Sequence, residues 1–494
     1  SPISISMLSR RSGLNDVQWT PDGKALVWQE TRAGEGVLVA QPLGEARRDL
    51  LSEHSVRGGV LYGGGGFGLG RQAVFFAERS GQLMRRDLWY GRDKPLTPPF
   101  GAVAAPTVSP DGRWVAYIHT DNRNDVLALV DADGKQWPRQ LAQGADFYMQ
   151  PAWHPSGEWI AWVEWDLPNM PWDETRIYMA KFCPETQTLA EKRLIAGGDG
   201  QVAVQPLFSP DGRWMSYIES DGDWEKLVLY NLAEGTRSIV LSGDQMLLST
   251  PVWGQGQRTC GWSYSSERIF VIRNFAGKAE LLDLDVNTGN VKVIDTSPFT
   301  WLDQLSVSPV NDELAVVACS PQIPDQIIRW NGDHWRTVAY SDTLSLAPEE
   351  LSPAEAVTWQ SLDGEIVHGF YYAPSNQAWT SSGTPPLIVY PHGGPNSQSV
   401  MDFPRHTPFF TSRGYAWLMV NYRGSSGYGR SYLNRLYGQW GNLDTQDAVS
   451  GAQAMVQRGL ADGTRLAIFG GSAGGFTVLN ALIQHPEVFK AGIA

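Results

Sequence analysis

The sequence of 494 residues contains few cysteines and no long apolar segment. Its 3 cysteines, Cys183, Cys260 and Cys319, are odd in number and far apart along the chain. This pattern indicates neither a disulfide framework nor a cluster of metal ligands, so we expect free thiols in a reducing compartment and no bound metal. No apolar run approaches the roughly 20 residues of a transmembrane helix, and no membrane contact is predicted.

Basic charge is also scarce, with 39 lysine and arginine residues against 52 aspartate and glutamate residues and a net charge of −13. Such a surface repels phosphate backbones, and no basic run forms a local exception, so nucleic acid is not an expected partner. The first residues, SPISISMLSRRSG, lack the charged start and long apolar core of a secretory signal, which favours a cytoplasmic protein. A cleaved signal would leave no trace, so a mature secreted form is the alternative.

The first two thirds of the chain contain a repeated phrase, which indicates an architecture built from repeats. In this phrase, Pro-Asp-Gly favours a tight turn, and the alternating apolar residues after it have the period of a strand with one buried face. The clear copies are TPDGKALVWQ from Thr20, SPDGRWVAYI from Ser109, HPSGEWIAWV from His154, SPDGRWMSYI from Ser209 and SPVNDELAVVA from Ser308, and the weaker ones are GLGRQAVFFAE from Gly68 and SSERIFVIRN from Ser265.

A turn followed by a strand recurs every 40 to 56 residues. This interval is typical of a β-propeller in which each copy belongs to one four-stranded blade. The copies predict seven blades, five from clear phrases and two from spacing and weak similarity. Unrelated hairpins in a β-sandwich are the alternative, which the near-identical copies disfavour.

After residue 340 the pattern changes to strands alternating with helices. The acidic stretch SDTLSLAPEELSPAEA marks a connection, and we predict a propeller over residues 1–345 and a second domain over residues 346–494. Alternating strands and helices indicate a mainly parallel, doubly wound sheet. The predicted elements are an antiparallel pair of strands at 357–362 and 366–373, strands at 386–390 and 416–422, a helix at 444–459, a strand at 466–470 and a helix at 472–484.

The segment Gly470-Gly471-Ser472-Ala473-Gly474 fits G-x-S-x-G between an apolar strand and a helix, which is the context that a nucleophile elbow requires. There the serine occupies a sharp turn that presents its hydroxyl above the sheet, and small neighbours avoid collisions with the strand and the helix. The N-terminus of the helix also places backbone N–H groups near developing negative charge. A glycine-rich turn that only packs a helix tightly is the alternative.

Two further segments follow the earlier strands of this domain. His392-Gly393-Gly394-Pro395 comes directly after PLIVY, where glycines allow a backbone N–H to turn towards the serine and complete an oxyanion hole; a simple turn is the alternative. Residues 421–429, NYRGSSGYG, follow the next strand, at the edge where open α/β sheets bind ligands. Its tyrosines and arginine either shape the pocket or brace the loop.

A propeller followed by HGGP, NYRGSSGYG and GGSAGG in this order resembles the prolyl oligopeptidase family, and the acylaminoacyl-peptidase and bacterial aminopeptidase or dipeptidyl-peptidase branch in particular. The resemblance covers nearly the whole chain. It implies an all-β propeller capping an α/β-hydrolase domain that cuts short peptides near their N-terminus without a cofactor. It further implies Ser472 as nucleophile and the backbone of Gly394 and Ala473 as oxyanion donors. The position of the loop of residues 421–429, apart from the resemblance, makes Tyr428 and Arg423 candidates for substrate binding.

The sequence departs from this family after the serine. A serine nucleophile needs a base and an orienting carboxylate, which in α/β-hydrolases follow it in the order acid, then histidine. After Ser472 the only histidine is His485 and the only acidic residue is Glu487, which is the reverse of the family order. His485 also lies 13 residues further along the chain, near the end of the predicted helix, or roughly 20 Å away. Since FKAGIA predicts the start of another strand, we expect a hydrolase domain that is incomplete at its C-terminus, with its acid and histidine in about one hundred or more further residues.

The leading hypothesis is a serine peptidase that acts on oligopeptides through an acyl-enzyme, with the propeller as a size filter. An esterase or small-amide hydrolase of the same fold and a catalytically inactive binding protein are the alternatives, since fold does not fix function. Aminopeptidase, dipeptidyl-peptidase and acylaminoacyl-peptidase activities stay open, as does the oligomeric state, with a homo-oligomer among the alternatives.

Overall fold

The computed structural model describes residues 3–4, 12–51, 53–121, 123–341, 350–380 and 382–494. In these ranges, seven four-stranded antiparallel sheets precede one six-stranded mixed sheet. Each four-stranded sheet uses four consecutive strands, and we number these sheets as blades 1 to 7 in chain order. The predicted seven blades are confirmed, including the two that depended on weak copies of the repeat.

The strands of the blades follow one another without exchange between sheets. Blades 1 to 4 contain β1–β4 (Ser12–Trp19, Ala25–Arg32, Glu35–Pro42, Arg48–Asp49), β5–β8 (Phe67–Leu69, Ala73–Ala77, Leu83–Asp87, Lys94–Pro95), β9–β12 (Ala102–Val108, Trp114–Thr120, Asp125–Asp131, Arg139–Ala142) and β13–β16 (Phe147–Trp153, Trp159–Trp165, Arg176–Cys183, Thr188–Gly197). Blades 5 to 7 contain β17–β20 (Val202–Phe208, Trp214–Ser220, Lys226–Asn231, Arg237–Leu241), β21–β24 (Cys260–Trp262, Arg268–Phe275, Lys278–Asp285, Val291–Ile294) and β25–β28 (Trp301–Val307, Leu314–Ser320, Ile323–Trp330, Trp335–Tyr340).

The repeated phrase forms the turn between the first two strands of a blade. In blade 3, Ser109 Oγ donates to Asp111 Oδ1 at 2.5 Å and accepts the N–H of Trp114 at 3.0 Å. Gly112 has φ of +75°, a left-handed conformation that costs glycine little. The Ser209 turn of blade 5 makes the same two bonds, so the short phrase closes its turn by local contacts alone.

The strand after each turn is buried on both faces, whereas the alternation in the sequence predicted one buried face. In β10, Ala116 and Ile118 pack into the cluster shared with blade 4, while Val115 and Tyr117 pack into the cluster shared with blade 2. A blade in the ring lies between two neighbouring sheets, so both faces of its inner strands are buried from solvent. These strands therefore contain few polar residues, and several of their positions are tyrosine or tryptophan.

Blades 1 and 7 close the ring by side-chain packing. Val17 and Trp28 of blade 1 share one buried cluster with Ala315 and Ile327 of blade 7. Arg258, which precedes blade 6, donates to the backbone carbonyl of Val17 at 2.7 Å and forms an ion pair with a carboxylate of the same strand. The ring is thus held together by contacts between separate sheets.

The second domain carries the mixed sheet. Its strand order is β29-β30-β32-β31-β33-β34, antiparallel as far as β32 and parallel from β32 to β34. The strands are β29 (Glu355–Gln360), β30 (Ile366–Tyr372), β31 (Leu387–Pro391), β32 (Ala416–Asn421), β33 (Leu466–Phe469) and β34 (Ala491–Ile493). The helices in the described residues are α1 (Thr407–Thr411), α2 (Arg430–Asn434), α3 (Leu443–Gln457) and α4 (Ala473–Gln484).

Apolar side chains on both faces of this sheet are buried, which is why its strands are nearly continuous in hydrophobic residues. One face packs against Ala448 and Met455 of α3 and Val478 of α4, and the other packs around Trp417 and Met401. The doubly wound architecture predicted for this part of the chain matches this arrangement. Among the described residues, no helix combines the length and the apolar character that crossing a membrane requires.

Several hydrogen bonds join the propeller to this domain. Met401 N–H donates to Gly277 O at 2.8 Å, and Thr300 Oγ1 donates to Met401 O at 2.6 Å. The predicted domain boundary at residues 345 and 346 lies outside the described residues. In the described part, the last propeller strand ends at Tyr340 and the first strand of the second domain begins at Glu355.

Candidate active site

Ser472 occupies the turn between β33 and α4, with φ of +54° and ψ of −124°. A serine in such a conformation costs about 1–3 kcal/mol, so the surrounding packing must hold it there. That packing is close: a Cβ on Gly474 would lie 2.3 Å from Pro391 O, and a Cβ on Gly470 would lie 2.6 Å from the backbone of Gly474. The flanking glycines therefore permit the strand and helix to meet, while the side chain of Ser472 is exposed at the end of the sheet.

The loop after β31 lies against this turn. A Cβ built on Gly393 would be 3.6 Å from Ser472 Cβ and 3.4 Å from Gly471 O, which are van der Waals distances, so this residue lies directly beside the serine. Gly394 has φ of +127°, which a residue with a side chain rarely adopts. Within the described ranges, the N–H groups of Gly394 and Ala473 donate to no protein acceptor, so both are available to an oxyanion.

His392 anchors the same loop from inside the domain. Its Nδ1 lies 2.6 Å from Gly393 O and its Nε2 lies 2.7 Å from Ser425 Oγ, and the ring stacks on Tyr422 at 4.4 Å. Burial lowers the pKa of His392 to about 4, so the ring is neutral, with one nitrogen facing the Gly393 carbonyl and the other facing the Ser425 hydroxyl. Both nitrogens are thus occupied in holding the loop. The sequence pointed to His392 only as the first residue of the HGGP segment and predicted no separate function for its side chain.

Arg423 braces the loop of residues 421–429. Its side chain is 2% exposed and pairs with the fully buried Asp447 of α3, whose carboxylate accepts from Nη2 at 2.7 Å and from the backbone N–H of Arg423 at 2.8 Å. Nη1 forms an ion pair with Asp363, and Nη2 also donates to Ser361 Oγ at 3.0 Å. Since its donors are directed into the protein, the structure supports the loop-bracing alternative for Arg423 over contact with substrate.

Tyr428 is held within the same loop. Its hydroxyl accepts from Asn421 Nδ2 at 2.8 Å, and its ring stacks on His368 with centroids 4.2 Å apart. Burial raises the pKa of Tyr428 above its usual value, which keeps the hydroxyl protonated and able to donate. A contact between Tyr428 and substrate stays a prediction.

His485 lies at the far end of α4 from Ser472. The helix between them has 12 residues, and at about 1.5 Å per residue it separates the two by roughly 20 Å. The ring of His485 instead faces Glu487, with Nδ1 3.9 Å from the carboxylate. The geometry agrees with the expectation that His485 does not serve as base to Ser472.

The propeller contributes acidic residues close to this part of the hydrolase domain, which the sequence could not single out. A cavity of about 70 Å³ lies between blades 4 to 6 and residues 426–433, and Asp223 and Glu225 are among its lining residues. Asp223 accepts the N–H of Ser431 at 2.6 Å, and Glu225 accepts the N–H of Ser249 at 2.7 Å. Burial raises the pKa of Glu225.

A propeller joined to a partly parallel sheet, with a serine at a strained strand-to-helix turn, defines a propeller-bearing α/β-hydrolase. Residues 401–494 match the family model described as "Prolyl oligopeptidase family". A solved structure of a puromycin-hydrolyzing peptidase from Mycobacterium tuberculosis is 28% identical with a TM-score of 0.91, covering 100% of this chain and 78% of that one.

Curated relatives agree with this similarity. The acylamino-acid-releasing enzyme of Rattus norvegicus is 25% identical over 75% of this chain and 53% of its own length. Dipeptidyl aminopeptidase BIII of Pseudoxanthomonas mexicana is 27% identical over 97% of this chain and 69% of its own length. The chain is thus similar to members of the prolyl oligopeptidase family, and it spans about half the length of the rat relative.

Proposed function

We propose that this chain carries the nucleophile of a serine peptidase, with Ser472 attacking the peptide carbonyl to form an acyl-enzyme. The observation that carries the proposal is the backbone of Ser472, held at φ +54° between β33 and α4 with Gly393 beside it. A strained serine that projects at the end of a buried strand, next to unpaired N–H groups, has the geometry that acyl transfer needs. The N–H groups of Gly394 and Ala473 would stabilise the tetrahedral oxyanion, commonly by about 3–4 kcal/mol for one donor.

The proposed substrates are short peptides that are cut near their N-terminus. This proposal draws on relatives named acylamino-acid-releasing enzyme and dipeptidyl aminopeptidase, and on the similar structure named for hydrolysing puromycin. The propeller packs against the segment that follows residues 421–429, since Arg430 of α2 donates to the backbone carbonyls of Asp173 and Gly200 at 2.7 and 2.9 Å. Such contacts leave less room for a folded protein than for an oligopeptide. A cytoplasmic location is part of the proposal.

The residues in hand divide the work of the acylation step. Ser472 supplies the oxygen that bonds to the carbonyl carbon, the peptide C–N bond breaks, and the departing amine carries away the proton of the Ser472 hydroxyl. His392 holds the loop of residues 392–396 and takes no proton because its ring is occupied on both sides. Neither His392 nor His485 is assigned as general base. The acyl-enzyme is then released by water, which returns the proton to Ser472 oxygen and frees the acid.

Fluorophosphonate labelling tests this proposal, with the adduct located by peptide mapping. We expect the label on Ser472, its loss in Ser472→Ala, and its retention in Ser80→Ala, which changes an exposed propeller serine. Label on another serine, or equal labelling in Ser472→Ala, would contradict the proposal.

Turnover then separates the substrate classes. We expect faster hydrolysis of aminoacyl or N-acylaminoacyl anilides than of a simple acyl ester. A strong preference for the ester would favour the esterase alternative, while the ratio between free and acylated anilides would distinguish aminopeptidase from acylaminoacyl-peptidase activity.

A further inference from the structure

A tryptophan of the propeller holds the loop that carries the proposed oxyanion donor. Trp253 lies between blades 5 and 6, and its Nε1 donates to the backbone carbonyl of Asn396 at 2.9 Å. Asn396 directly follows His392-Gly393-Gly394-Pro395 and is 8% exposed. The bond therefore crosses from one domain to the other and ends two residues from Gly394.

The hydrolase domain itself holds both sides of this loop. Tyr422 donates from its hydroxyl to His392 O at 3.1 Å, and Ser397 O accepts the N–H of Ser426 at 2.9 Å. Between these anchors, the carbonyl of Asn396 points to the propeller and meets Trp253. Loss of that bond would leave the middle of the loop without its partner from the propeller, and a carbonyl in a partly buried position would have to find another donor.

The indole of Trp253 is itself fixed by aromatic neighbours. Its ring lies 4.5 Å from the ring of Trp172 in blade 4, and 5.0 Å from that of Tyr62 in an edge-to-face contact. The N–H of Tyr62 also donates to Trp253 O at 3.3 Å. Because two other segments of the propeller set the position of the ring, its N–H presents a fixed donor to the loop.

We infer that Trp253 is a positioning residue for the oxyanion hole, acting through the carbonyl of Asn396 on the peptide N–H of Gly394. This inference rests on the proposed function. Oxyanion donors act only within about 2.7–3.1 Å of the developing charge, and displacement of about 1 Å costs on the order of 100-fold in rate. The donor geometry of the hydrolase domain thus depends on a docked propeller.

The test compares Trp253→Phe with Trp335→Phe. The first variant keeps an aromatic ring next to Trp172 and removes the donor to Asn396. The second removes a tryptophan donor that makes no bond to the hydrolase domain: Trp335 Nε1 of blade 7 donates at 2.8 Å to the carbonyl of Asp295, which follows the last strand of blade 6. Both variants lose one tryptophan N–H to carbonyl bond, so a general effect on stability appears in each.

For Trp253→Phe we expect kcat to fall about tenfold with KM within twofold, and the rate of fluorophosphonate labelling to fall by a similar factor, because the phosphonyl oxygen uses the same donors. Trp335→Phe should change neither. Equal kcat values for the two variants would overturn the inference, and so would a rise in KM at constant kcat, which would place the indole in contact with substrate. A wild-type protein that neither labels at Ser472 nor turns over would instead refute the proposed function itself.

Discussion

Replacing Arg423 by methionine removes the cation from a buried ion pair and should destabilise the hydrolase domain. Arg423 and Asp447 are 2% and 0% exposed, and the guanidinium donates to the carboxylate from Nη2 and Nε at 2.7 and 3.1 Å. Removing one partner of a buried pair costs about 3–5 kcal/mol, because the remaining charge stays out of water. Asp447 keeps the hydroxyl of Ser361 as donor at 2.6 Å, so we expect the lower end, about 3 kcal/mol.

The free energy of unfolding from urea titration, followed by tryptophan emission, measures this cost. Arg465→Met is the matched control, since its pair with Asp462 also has a 2.7 Å contact but its side chain is 55% exposed, and such pairs contribute about 0–1 kcal/mol. The double variant Arg423→Met with Asp447→Leu should recover most of the loss, because no unpaired charge remains. Equal costs for the two arginine variants would refute the reasoning, as would a double variant that is no more stable than Arg423→Met.

Two further outcomes follow from the geometry of the elbow and of the domain interface. Gly474→Ala should lower the free energy of unfolding by about 1–3 kcal/mol and slow labelling of the serine, because the added Cβ would lie 2.3 Å from Pro391 O. Gly471→Ala is the control: its Cβ meets nothing within 4 Å, so it should keep the stability of the parent in the same denaturation assay. Burial and the nearby Asp325 raise the pKa of Asp402 from 3.8 to about 7. The folded state therefore binds this proton more tightly than the unfolded state, and its stability falls as the pH rises from about 4 to about 7. Thermal unfolding should show Asp402→Asn becoming more stable relative to the parent between pH 5 and pH 8, and a difference independent of pH would contradict this assignment.

The repeat and the elbow were accessible to sequence analysis because each depends on residues close together in the chain. The turn at Ser109 closes through Asp111 and the N–H of Trp114, so a short phrase contains all its contacts. The same holds for Ser472, whose conformation follows from small neighbours between a strand and a helix. Seven blades, the order of the later elements and the position of the strand-to-helix turn at Ser472 therefore followed from local patterns.

Other features depended on how separate segments pack. The sequence left pocket lining and loop bracing as equal alternatives for Arg423, and only the structure shows its ion pairs with Asp447 and Asp363, which favour bracing. It also predicted one buried face for strands that the ring buries on both, because the neighbouring sheet is a distant part of the chain. Periodicity reports the exposure of a segment but not which segment covers it.

The contact between Trp253 and Asn396 shows the same division most clearly. These residues are 143 positions apart and lie in different domains, and neither belongs to a sequence motif that predicts its partner. Local sequence determined the repeating blades, the strand-to-helix turn and the glycines beside Ser472, since the conformation of a short segment is set by its own residues. Tertiary structure alone decided which propeller residue contacts the loop of residues 392–396, because that bond forms only when the propeller and the hydrolase domain pack together.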